Sequence, residues 1–199
     1  MSRFLGPIHY WLYGKIGHQE ELTQAFADAA AKNGWLANAS DYTKTLPALE
    51  SVIDEGNIHG WLQSRIADAE ARYAALVLAV LREDEERRLP RLQQAAFAFG
   101  RANAPDPGIS PEEAYKAFDS FFVNGMPCDR VNAVTGNDAD ALTWQETQDV
   151  HSGYWPERPE LYALLRQSVM EGMLAAAAVG IRKLDGNRYQ LYRKASPNG

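Results

Sequence analysis

With Cys128 as its one cysteine, the chain cannot form an intrachain disulfide, which fits a reducing compartment. Long apolar runs are missing too. Met173 to Val179 is far shorter than the ~20 residues that span a bilayer, so no membrane partner is expected. The opening residues, Met1 to Gly6, lack the basic-then-apolar order of a secretory signal, and a cytoplasmic location is expected. Positive charge is not in excess. A net charge of −6 leaves no footprint for a nucleic acid. Several signatures are also absent: His-Glu-x-x-His, paired Cys-x-x-Cys, Gly-x-Ser-x-Gly, the P-loop and Gly-x-Gly-x-x-Gly. Nucleotide-dependent and zinc-protease chemistry are therefore not expected.

The composition is that of a globular protein, with 46% hydrophobic and 23% charged residues, enough to bury a core in one domain spanning 1–199. Pro7 suits the first turn of a helix that Gly34 would end. A short helix is predicted over Pro47 to Asp54. Gly56–Asn57 opens a long helix to about Arg82, with Asn57 as a cap. Another runs from about Asp84 to Ala102, with Pro90 as a kink or a start. Ser110-Pro111-Glu112-Glu113 reads as a capping box for a helix ending near Asn124–Gly125. Within 126–155, two short strands are expected around a Gly136–Asn137 turn. Pro159 opens a last helix that Gly180 would close, and Asp185–Gly186 marks a hairpin over 181–193. The expected fold is mainly α: a helical bundle with an internal helix repeat and a small β-hairpin appendage. Aromatic residues at helical spacing, such as Phe97, Phe118 and Phe121, are expected in its core.

The repeat lies fifty residues apart. Gly6-Pro7-Ile8-His9-Tyr10-Trp11-Leu12 matches Gly56-Asn57-Ile58-His59-Gly60-Trp61-Leu62, and the match continues through Lys15/Arg65, Ile16/Ile66 and Glu20/Glu70. At about 100° per residue, His9 and Glu20 share a stripe with Leu12 and Ile16, and His59 and Glu70 share one with Leu62 and Ile66. An imidazole and a carboxylate on an apolar stripe are costly to bury without partners. Within one helix they stand three turns, roughly 16 Å, apart, so partners must come from another element. Antiparallel helices would bring His9 to Glu70 and Glu20 to His59; parallel helices would bring like to like. With Gly6 and Gly56 as caps, each histidine falls in a first helical turn, where the helix dipole favours neutral imidazole. Such an imidazole can bind a metal or simply bond to a nearby carbonyl or carboxylate. Lys15 and Arg65 would neutralise nearby carboxylates.

A second constellation is Pro127-Cys128-Asp129 with Asp149-Val150-His151. Cys128 and His151 could be metal ligands joined by a carboxylate. They could be a nucleophile and its base, oriented by Asp149 or Asp129. Or Cys128 is a small buried hydrophobe and His151 a satisfied polar residue.

The stretches Leu5 to Leu12, Asn57 to Gln63, Pro127-Cys128-Asp129 and His151-x-x-x-Trp155 resemble a group of uncharacterised helical proteins from anaerobic bacteria. That resemblance covers most of the chain and implies no established activity. In architecture alone, the chain also resembles metal-binding four-helix bundles of the DinB type, which present three histidines from different helices. This implies His9, His59 and His151 here, although the spacings differ.

The leading expectation is a polar pocket that binds a divalent metal such as Zn, Fe or Ni, or a small-molecule ligand. His9, Glu20, His59 and Glu70 are the metal candidates, and Cys128 and His151 the cofactor-binding ones. The rival expectation is a structural or interaction protein, a homodimer whose buried His–Glu hydrogen bonds set helix register. A third is a thiol-dependent hydrolase using Cys128.

Overall fold

A computed structural model describes residues 5–195. The described residues form five α-helices: α1 (Pro7–Lys32), α2 (Ile58–Leu81), α3 (Glu85–Ala102), α4 (Pro111–Phe121) and α5 (Glu160–Met173). Four strands, β1 (Asn132–Asn137), β2 (Ala141–Glu146), β3 (Val179–Lys183) and β4 (Arg188–Arg193), form one antiparallel sheet in the order β1-β2-β4-β3. The architecture is mainly α. Among the described residues no helix is long and apolar enough to cross a membrane.

Local signals set most helix starts. The Asn57 side chain accepts from Gly60 N, and Ser110 and Glu113 close a reciprocal capping box. Pro90 lies inside α3 within its first two turns. The segment predicted as a helix over Pro47 to Asp54 holds only a 3-10 turn at Leu49–Ser51. Helix α4 stops at Phe121, short of Asn124, because Phe122 is already extended.

Helix α5 ends at Met173 rather than running to Gly180. The alanine run after it favours helix locally, but Val179 and Ile181 leave it to pair with Arg193 and Leu191 in the sheet. The turn between β1 and β2 falls at Asp138 to Asp140, beyond Gly136–Asn137. There the Asp138 carboxylate accepts from the N–H groups of Asp140 and Ala141. The two hairpins are not separate: β2 pairs with β4, Thr143 opposite Gln190, so the β appendage is one sheet packed on α4 and α5.

Helices α1 and α2 run parallel. His9 and His59 stand near each other at one end, with ring centroids 5.7 Å apart, and three turns on Arg72 grips Glu20. Leu12, Ile16, Leu62 and Ile66 form a small core between them. The larger core joins the later turns of α1 and α2 to α3, α4, α5 and the inner sheet face, through residues such as Phe26, Tyr73, Leu92, Phe118, Leu165 and Leu191.

Helices α3 and α5 touch backbone to backbone. A β-carbon on Gly100 would lie 2.1 Å from the Val169 carbonyl oxygen, and one on Gly172 would lie 2.1 Å from that of Phe97. Only glycine permits this reciprocal approach.

Candidate functional site

The stripe on α1 is buried as expected: His9, Leu12, Ile16 and Glu20 are all at most 5% exposed. Its polar groups find local or structural partners. His9 Nδ1 accepts from Gly6 N at 2.9 Å, closing the start of its own helix. Glu20 takes a bidentate pair from Arg72, Nη1 to Oε2 at 2.8 Å and Nη2 to Oε1. Arg72 also reaches the Tyr42 carbonyl at 2.8 Å and the Asp68 carboxylate, which Lys44 holds at 2.8 Å. Burial alone would raise the Asp68 carboxyl, but its bonds from Lys44 and Arg72 outweigh that and hold it below the usual range.

The stripe on α2 departs from expectation at its first position. Leu62, Ile66 and Glu70 are buried, but His59 is exposed. Helix α2 is capped by Asn57 rather than Gly56, so His59 is its second residue where His9 is the third of α1. The Asn57 side chain takes the bond at the helix start, and Ile58 takes the buried place. The four proposed metal ligands therefore serve different partners. Glu20 goes to Arg72, Glu70 goes to His151, His9 caps its helix, and His59 stands beside His9. Among the described residues Lys15 and Arg65 pair with no carboxylate; each cation lies over the indole four residues earlier, Lys15 at 4.0 Å from Trp11 and Arg65 at 5.5 Å from Trp61.

A different group of side chains converges beside the sheet. Asp149 Oδ1 accepts from the N–H groups of His151 and Ser152, both at 2.9 Å, and folds a turn that carries the imidazole inward. Burial pushes the Asp149 carboxyl up, but the bonds from Ser152 and His151 win and hold it low. Asp149 thus shapes the turn and does not orient the ring. That part falls to Glu70, 1% exposed on α2, whose Oε1 lies 3.2 Å from His151 Nδ1. On the other side Tyr162 Oη lies 3.0 Å from Nε2, and Arg166 Nη1 donates to the same Oη at 2.7 Å.

The rings of His151 and Tyr162 are stacked, with centroids 3.9 Å apart and planes at 20°. Tyr162 Oη is the partner of the Nε2 lone pair among the described residues, and a ligand donor would take its place. Glu70 accepting from Nδ1–H selects the tautomer that keeps this lone pair. Burial raises the Tyr162 hydroxyl well above an ordinary phenol, and the nearby Arg166 only partly offsets it. Tyr162 therefore stays protonated. Arg166 stacks on Phe122 at 4.5 Å, and its Nε is buried without a partner among the described residues.

These groups wall a cavity of about 290 Å³ between α5, the Asp149 turn and the sheet. His151, Tyr162 and Arg166 supply polar atoms; Trp144, Met170 and Tyr189 supply apolar surface. Trp144 and Tyr189 stack across the β2–β4 pair, centroids 5.3 Å apart. The volume is at the small end of metabolite sites.

Cys128 is exposed on a 3-10 turn at Pro127–Asp129. It does not line this cavity, and its hydrogen-bond partner is the Asp129 carboxylate, 3.9 Å from Sγ, rather than a histidine. Among the described residues no three His, Cys, Asp or Glu side chains are grouped to hold a metal ion. Glu70 and His151 are both candidates in the sequence, in sets that belong to two sites or share one, and nothing in the sequence pairs them with each other. Sequence reasoning missed Tyr162 and Arg166, although their i,i+4 spacing on a helix as apolar as α5 is a readable signal. A scan against protein-family models, a search of curated proteins and a search of solved structures each return no match to this chain.

Proposed function

We propose that this protein binds a small organic molecule in the cavity between α5 and the sheet, with His151 as the acceptor for a ligand hydroxyl or amine. The observation that carries this reading is an imidazole at a cavity wall, held at Nδ1 by a buried carboxylate and met at Nε2 by the protonated Tyr162 hydroxyl. That is the arrangement of a general base as well as of a hydrogen-bond acceptor. Aromatic surface from Trp144 and Tyr189 would hold the apolar part of the ligand.

Ligand-observed NMR of a metabolite-sized library tests it. Binders should be displaced from the parent protein by one another and lost in His151→Ala. They should be kept in His18→Ala, which alters a half-buried histidine stacked on Phe121 and outside this cavity. Binders that His151→Ala leaves untouched, or a library with none, would retire the reading.

A structural part for the polar residues of α1 and α2 is favoured by the bidentate Glu20–Arg72 pair. In this reading the two helices are copies of one unit. Their buried polar groups set register and frame the cavity rather than entering it.

A further inference from the structure

We propose that Lys15 is a carbonyl-reactive amine, forming a reversible imine with a small aldehyde or ketone that enters a second cavity between α1, α4 and the loop at 124–133. That cavity, about 700 Å³, is lined by Trp11 and Lys15 from α1, Tyr115 and Asp119 from α4, and Met126 and Arg130 from the loop. It is distinct from the cavity at His151 and does not depend on that reading.

Lys15 is anomalous in this chain. Of six lysines it alone is buried, at 3% exposed; the other five lie in the solvent. A buried ammonium needs a partner, and an ion pair or hydrogen bond normally supplies it. Among the described residues Lys15 has neither, only the face of Trp11 at 4.0 Å. Desolvation therefore dominates and lowers the amine to about 8; Asp119 on α4 opposes this, and Arg166 on α5 adds to it. Asp129 and Arg130 also line the cavity, with opposite charges. At pH 7 roughly a tenth of this amine carries a lone pair, whereas an exposed lysine has almost none.

The step balances without a further reagent. The neutral amine adds to the carbonyl carbon, a proton passes from nitrogen to oxygen, and loss of water leaves the C=N bond. Hydrolysis returns both partners. Asp119, on the same cavity wall and with its charge acting on the amine, is a group able to carry that proton.

Propionaldehyde with sodium cyanoborohydride reads the imine directly, because reduction fixes it as a stable secondary amine. The full chain is labelled briefly at pH 7.5, digested and mapped by mass spectrometry. Lys15 should be alkylated at least tenfold faster than the mean of the other five lysines. The preference should vanish in urea and should shrink when the parent is labelled at pH 10. Labelling of Lys15 no faster than the exposed lysines, in a protein shown folded by circular dichroism, would overturn the proposal.

Discussion

His151 Nδ1 lies 3.2 Å from Oε1 of Glu70, joining a loop imidazole to a helix carboxylate 81 positions earlier in the chain. The bond ties the Asp149 turn to the middle of α2, so it sets both the cavity wall and part of the fold. Glu70→Gln keeps an acceptor for Nδ1–H. Glu70→Leu leaves that donor buried and unpaired, a loss of about 1–3 kcal/mol. Urea unfolding should therefore rank Glu70→Leu below Glu70→Gln by about 2 kcal/mol. Equal midpoints for the two variants would show that the bond does not hold in solution.

The Glu20–Arg72 pair should behave asymmetrically. Arg72→Met strands Glu20, which is 5% exposed and has no other partner among the described residues, at a cost of about 3–5 kcal/mol. Glu20→Met leaves Arg72 with Asp68 and the Tyr42 carbonyl, so it should cost roughly 1 kcal/mol. The double variant should recover much of the Arg72→Met loss. Equal single-variant costs would contradict this account.

Helix starts were legible because the signals are local. Ser110 and Glu113 close their capping box within one turn, and Asn57 caps within three residues. The stripe of His9, Leu12, Ile16 and Glu20 was legible because helix period alone sets it. Partners were not. Nothing near Glu20 in sequence announces Arg72, and nothing near Glu70 announces His151. The fate of His59 turned on one residue of cap register, Asn57 in place of Gly56. The single sheet was hidden for the same reason: the β2–β4 pairing joins Thr143 to Gln190, and a hairpin signal reads only its own turn.

Glycines of α1 and of the α3–α5 contact should respond in opposite directions to the same substitution. Gly100→Ala and Gly172→Ala each drive a β-carbon against a backbone carbonyl that cannot swing aside. Each should cost about 3 kcal/mol as the helices are forced apart. Gly14 and Gly17 lie within α1 with open space where a β-carbon would go. Gly14→Ala and Gly17→Ala should each add about 0.5–1 kcal/mol, since alanine is the better helix former. Thermal and urea unfolding of the four variants checks the sign at every position.

Lys15 gives the stability a pH dependence of its own. In the folded chain its amine sits at about 8 against an ordinary 10.5, because burial penalises the charge. Between those values the unfolded chain holds more protons than the folded one, so this group makes stability rise with pH. Below pH 8 both states are charged and the folded chain carries the full penalty. Above 10.5 both are neutral and the penalty is gone. Two and a half pH units at about 1.4 kcal/mol each give a penalty on the order of 3 kcal/mol. Buried tyrosines such as Tyr73 and Tyr162, raised from an ordinary 10, act in the opposite sense at the top of this range and blur the parent's own curve. The difference between Lys15→Met and the parent cancels them. Lys15→Met should be the more stable protein at pH 7, and its advantage should shrink by about 3 kcal/mol between pH 7.5 and 10.5. A difference that stays flat across that window would mean that the amine finds a partner in solution and keeps an ordinary affinity for its proton.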